Sequence, residues 1–123
     1  MDLANAIIAV DFDGTCVTHK YPEIGEDIGA VPVLKELTER GAQLILWTMR
    51  SGNSLDSAVE WFRANGIPLA GVNHNRTQHT WTSSPKAYAH LYIDDAALGA
   101  PLVRENTERP YIDWAAVRAA LLP

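Results

Sequence analysis

Four short runs of β-favouring apolar residues, each ending at a polar residue, constrain this chain more than any other feature. They occupy residues 7–10, 43–47, 69–72 and 90–93, and they stop at Asp11, Thr48, Asn73 and Asp94. Uninterrupted apolar runs of this length suit strands buried on both faces. Between them lie helical patterns. Pro32 suits a first turn, Val33, Leu34 and Leu37 form one apolar face, Glu36 and Arg40 are spaced for an i,i+4 pair, and Gly41 ends the helix. Asn53 or Ser54 is positioned to cap a second helix with Leu55, Ala58, Val59 and Phe62 on its inner face, ended by Asn65-Gly66. Residues 85–89 suggest a helical turn, and Asp113 caps a last helix with Trp114, Val117 and Leu121 on one face. Strands alternating with helices predict an α/β fold, a three-layer Rossmann-like arrangement with a mainly parallel sheet. In such sheets ligands bind beyond the carboxyl ends of the strands, so the four polar tips should converge.

Length and charge narrow the class. The 123 residues suffice for one domain with its own core, and 47% apolar with 20% charged residues is ordinary for a globular chain. A net charge of −5 is the wrong sign for a non-specific nucleic-acid or anionic-membrane binder. Cys16 is the one cysteine, so no internal disulfide forms. No stretch approaches the roughly 18 apolar residues of a membrane span, and the first residues lack a signal-peptide pattern. The expectation is a cytoplasmic protein with no membrane partner.

The polar tips carry the chemistry. Alternation along an extended segment should put Asp11 and Asp13 on one side and turn Phe12 into the core. Asp94 and Asp95 add carboxylate from another strand. Four such groups repel unless a cation or shared protons separate them, and an oxygen-only ligand set suits Mg²⁺. The competing reading of Asp13-Gly14-Thr15 is a plain turn after a strand.

Residues 8–15, Ile-Ala-Val-Asp-Phe-Asp-Gly-Thr, resemble the first motif of the haloacid dehalogenase (HAD) superfamily, whose members are mostly Mg²⁺-dependent phosphohydrolases. Thr48, Lys86 and the Asp94-Asp95 pair stand in the order of the remaining family motifs. Leu46-Trp47-Thr48-Met49-Arg50, Tyr92-Ile93-Asp94-Asp95 and Tyr21-Pro22 resemble a group of small capless bacterial and phage members. The paired aspartates are also similar to HAD phosphatases that act on polymers.

The resemblance implies a nucleophile at Asp11 that forms an aspartyl-phosphate, and a general acid and base at Asp13. It implies Mg²⁺ held by Asp11, the Asp13 backbone carbonyl and Asp94, with Asp95 in support. Thr48 would bind phosphoryl oxygens and Lys86 would balance their charge, although Ala87 stands where proline is common in the family. The substrate would be a nucleotide, a sugar phosphate or a phosphorylated polymer end. The family's cap domains enter after the first motif or before the motif lysine. Here those slots hold only residues 16–30 and 74–85, too few for a cap. The loop around His19 and Tyr21, a large substrate or a homodimer could cover the otherwise open site.

Several residues have two readings. Arg50 could clamp a second phosphate bidentately or be a surface arginine before a helix. His19 and Tyr21 could touch a leaving group, with loop packing the favoured alternative. Asn73 and His74 could line the rim. His79 and Trp81 could stack on a base, but an aromatic tucked under a loop is commoner. Trp47, Trp61 and Trp114 read as core, and Cys16 as a packed, unreactive thiol. A receiver-like or catalytically degenerate phosphate-binding module with a regulatory role is the functional alternative. A receiver would want an aspartate after the third strand, where this chain has Asn73.

Overall fold

A computed structural model describes residues 1–123. The strands are β1 (Ile7–Val10), β2 (Gln43–Leu46), β3 (Gly71–Val72) and β4 (Leu91–Ile93), in the order β3-β2-β1-β4, and every pairing is parallel. Helix α1 (Ala30–Glu39) joins β1 to β2, and α2 (Gly52–Ala64) joins β2 to β3. A single 3-10 turn, Gln78–Thr80, lies in the long connection to β4. Strands β5 (Leu102–Val103) and β6 (Tyr111–Ile112) form an antiparallel hairpin before α3 (Trp114–Leu121). The result is a Rossmann-like α/β fold with no inserted cap. No helix is long and apolar enough to cross a membrane.

Period-two alternation divides the sheet into two unlike faces. Ile8, Val10, Leu44, Leu46 and Ile93 join Leu34 and Leu37 of α1, Phe62 of α2, and Trp114 and Val117 of α3 in one buried cluster. On the opposite face Ala9 and Ile45 are covered without any helix. Ile7, Gln43 and Ile45 line a small cavity of about 40 Å³ together with residues 75–77 of the β3–β4 connection. Glu36 joins Arg40 at 2.7 Å along α1 and Arg118 of α3 at 2.9 Å, tying those helices together. Gly41, at φ 102°, releases the chain from α1 where a side chain would be strained. Asp113 caps α3 by accepting from the N–H groups of Ala115 and Ala116.

Three local expectations fail for identifiable reasons, and one hairpin was not expected. Residues 85–89 form no helical turn, because side chains take the backbone groups that such a turn would pair. The Gln78 amide donates to the Ser84 and Lys86 carbonyls at 3.1 and 2.9 Å and accepts from the Tyr88 N–H at 2.7 Å. Asn75 donates to the Tyr88 carbonyl at 3.0 Å. Neither Asn53 nor Ser54 caps α2, since both lie inside its first turn; Ser51 precedes the helix and gives no side-chain cap. The β5–β6 hairpin was not legible in its two-residue strands. Trp47 leaves β2 and is half-buried on a cleft instead of in the core.

Candidate metal and phosphate site

The carboxyl ends of β1, β2, β3 and β4 meet at one cleft of about 320 Å³, lined by Asp11, Trp47, Thr48, Met49, Asn73 and Asp94. All four polar tips read from the sequence are in that lining. The ladder brings them together: Asp11 N–H donates to the Ile93 carbonyl at 3.0 Å, and Asn73 N–H to the Leu46 carbonyl at 2.7 Å. Asn73, at φ 55°, turns its amide back so that Oδ1 accepts from Thr48 N–H at 2.8 Å. Thr48 Oγ1 accepts from Arg50 N–H at 3.1 Å, which fixes the turn leading into α2.

Behind the cleft the chain reverses in a tight turn. Phe12 is fully buried, with its ring edge-on to Trp61 at 5.5 Å, and its carbonyl accepts from the N–H groups of Thr15 and Cys16. Gly14 sits at φ 80°, and a Cβ there would come within 2.1 Å of the His19 ring and 2.6 Å of Asp95 Oδ2. Glycine is therefore the one residue that lets the Asp11 loop close against Asp95. The hairpin also docks here, with Ile112 N–H donating to the Gly14 carbonyl at 3.0 Å.

Asp11, Asp94 and Asp95 are half-buried, and each offers an oxygen within 4.8 Å of the others. Burial first, then the charge of Asp94, then the hydrogen bond with Asp95 push the Asp11 carboxyl up to about 8. At neutral pH this cluster holds a proton where a cation would otherwise sit. Three carboxylate oxygens this close together could hold a metal ion in place of that proton.

Thr15 was missed as a site residue, although it stands in the Asp-Phe-Asp-Gly-Thr run. Fully buried, its hydroxyl lies 3.0 Å from Asp11 Oδ2 and 3.3 Å from Asp95 Oδ1 and accepts from Asp95 N–H at 3.1 Å. Its carbonyl accepts from the indole N–H of Trp114 at 2.7 Å, so α3 also holds the site. Cys16 is buried, as the sequence suggests. Burial ahead of the charges of Asp11 and Asp13 holds its thiol well above the usual range.

Six residues with a functional reading are engaged or placed as follows. Arg50 is no free phosphate clamp. The residue is buried, and all five N–H donors of its guanidinium are engaged: two on Asp13 at 2.8 Å each, the rest on the carbonyls of Pro22, Glu23 and Ser54. Asp13 correspondingly turns its carboxylate to Arg50 and is not in the three-aspartate cluster. His19 Nε2 lies 3.1 Å from Asp95 and 3.3 Å from the Pro110 carbonyl, bracing the site instead of reaching outward. Lys86 pairs with no carboxylate; its ammonium lies 5.4 Å from the centre of the Tyr92 ring. Tyr21 is exposed and stacks over Arg50 at 5.2 Å, opposite Phe12 at 5.0 Å. Trp81 is 64% exposed and meets Tyr88 edge-on at 5.7 Å, not tucked beneath its loop.

Fold and site together define an α/β protein of the Rossmann-like class with an acidic, cation-compatible centre at the carboxyl ends of its parallel strands. No family model matches the chain, and no curated protein matches it. The solved structure of a conserved protein from Bacteroides thetaiotaomicron superposes with a TM-score of 0.75 at 41% identity, over 92% of this chain and 86% of that one. The chain belongs to the same family as that Bacteroides protein.

Proposed function

We propose that the chain is a Mg²⁺-dependent phosphomonoesterase of HAD type that works through an aspartyl-phosphate at Asp11. The observation that carries this reading is the cluster of Asp11, Asp94 and Asp95, of which Asp11 and Asp94 line the cleft together with Thr48 and Asn73. Asp11, Asp94 and Asp95 would hold Mg²⁺, which when bound supplies the positive charge that lets a carboxylate approach a phosphate dianion. A carboxylate oxygen of Asp11 attacks phosphorus, the bond to the leaving oxygen breaks, and water later hydrolyses the acyl phosphate. Thr48 and the backbone N–H groups entering α2 bind the phosphoryl oxygens. Thr15 fixes the orientation of Asp11 against Asp95.

Asp13 donates the proton to the leaving oxygen and takes one from water, which requires it to leave the Arg50 fork. Lys86 reaches the phosphoryl group by leaving Tyr92. The substrate is a nucleotide, a sugar phosphate or a phosphorylated polymer end. The test is hydrolysis of p-nitrophenyl phosphate with and without Mg²⁺, with Asp11→Asn as the control. Turnover that needs Mg²⁺ and Asp11 supports the reading; turnover surviving in Asp11→Asn rejects the nucleophile.

The engagement of Asp13 by Arg50 favours a second reading, a phosphate-binding or phosphoryl-receiving module with no free general acid. A phosphoprotein that forms once on Asp11 and persists without turnover would establish that alternative.

A further inference from the structure

The charge of this chain is unevenly distributed. Between Glu60 and Asp94 there is no acidic residue, only Arg63, Arg76, Lys86 and three of the four histidines. The rest of the chain has seven Lys and Arg against fifteen Asp and Glu, so the net −5 is +3 here and −8 elsewhere. Most of this acid-free stretch is the β3–β4 connection that covers the helix-free face of the sheet.

Along residues 86–92 the side chains alternate. Lys86, Tyr88, His90 and Tyr92 are exposed, whereas Ala87 is buried and Ala89 and Leu91 are half-buried. Trp81 meets Tyr88 at 5.7 Å and Tyr88 meets His90 at 5.4 Å, while the Lys86 ammonium lies 5.4 Å from the Tyr92 ring centre. Each T-shaped pair sets the edge of one ring against one face of the other, and Trp81 and Tyr88 still remain 64% and 42% exposed. Asp94 is the next residue in this alternation and lines the cleft.

We infer that Trp81, Tyr88, His90 and Tyr92, with Lys86 between them, form a platform on which the bases of single-stranded nucleic acid stack, leading along β4 to the Asp94 end of the cleft. Exposed aromatic rings beside cations, on a stretch of chain that carries no carboxylate of its own before Asp94, are the chemistry of single-strand binding. A protein surface as partner would favour apolar side chains beside the rings, and the residues flanking Trp81 in the chain are Thr80, Thr82, Ser83 and Ser84. Delivery of a terminal phosphate to Asp11 rests on the function proposed above, whereas the binding itself does not.

The experiment measures fluorescence anisotropy of labelled oligothymidylate and oligouridylate of about ten nucleotides, a length within the usual single-strand site size. The oligonucleotides carry no terminal phosphate, and salt is low. The wild-type chain is expected to bind at least one of them. Trp81→Ala/Tyr88→Ala should weaken binding by about tenfold or more, as expected for loss of base stacking, while Trp81→Phe/Tyr88→Phe keeps most of it. Lys86→Gln should reduce the slope of log affinity against log salt by about 0.7. Failure of the wild type to bind either oligonucleotide overturns the inference. So does equal binding of a duplex of the same length, or wild-type affinity in the double alanine variant. Concentration-dependent self-association lost in that variant, without oligonucleotide binding, would assign the face to a second copy and also overturn it. Hydrolysis of p-nitrophenyl phosphate by the wild type reports the carboxylate site separately, so either conclusion can fail alone.

Discussion

Arg50→Ala removes the most heavily bonded side chain at the back of the site. The guanidinium side chain is 1% exposed and its Asp13 partner 20%, and the fork makes two 2.8 Å bonds to that carboxylate. Three backbone carbonyls, two from the loop after β1 and one from α2, depend on the remaining donors. Breaking a buried pair by deleting one partner costs about 3–5 kcal/mol, because the survivor loses both its water and its counter-ion. Asp13 keeps some access to solvent, which places the expected loss at the lower end, about 3 kcal/mol. For a domain of this size that corresponds to a fall in Tm of about 10 °C.

Urea denaturation followed by far-UV circular dichroism measures the loss, and an unchanged m-value shows that the two end states are comparable. Arg50→Lys should recover less than half, since one ammonium cannot reproduce the planar fork. As a control, breaking the solvent-exposed Glu60–Arg63 pair should leave the urea midpoint nearly unchanged. A loss below about 1 kcal/mol for Arg50→Ala would refute the reading of Arg50 as a buried structural clamp.

The Asp11 carboxyl, at about 8 in the folded chain against 3.8 ordinarily, sets a pH dependence. Between those values the folded state holds a proton that the unfolded state has released, so stability falls as pH rises from about 4 to 8, by at most about 6 kcal/mol. Thermal melts across that range without divalent cation should show the fall, and Asp11→Asn should flatten it. Added Mg²⁺ should raise Tm more at pH 8 than at pH 5, and Asp94→Asn should remove most of that increment; equal increments at both pH values would argue against cation replacing proton. Gly14→Ala should destabilise the chain and abolish Mg²⁺-dependent hydrolysis, because its Cβ would overlap His19 and displace Asp95; wild-type activity in that variant would show that the loop tolerates a shift.

Local chemistry determined much of this protein. The strand runs, the stops at Gly41 and Asn65-Gly66, the Asp113 cap and the Glu36–Arg40 pair depend on neighbours within a few residues, and they were readable as such. The convergence of Asp11, Thr48, Asn73 and Asp94 was also legible, because a parallel α/β sheet places its strand tips at one end. Contacts made across long stretches of chain were not. The sequence offered Arg50 as a phosphate clamp, and only the fold, by bringing Asp13 to it across 37 residues, consumed its donors. Nothing near His19 in the chain indicates that Asp95, 76 residues on, would be its companion. The helical turn at 85–89 gave way to Gln78 and Asn75, whose amides outcompete local backbone pairing once the connection lies flat on the sheet. A pattern fixes which residues share a face or a strand end. Which side chain satisfies which partner depends on distances that exist only after the chain has packed, and that tertiary step decided what each charged group at this site is free to do.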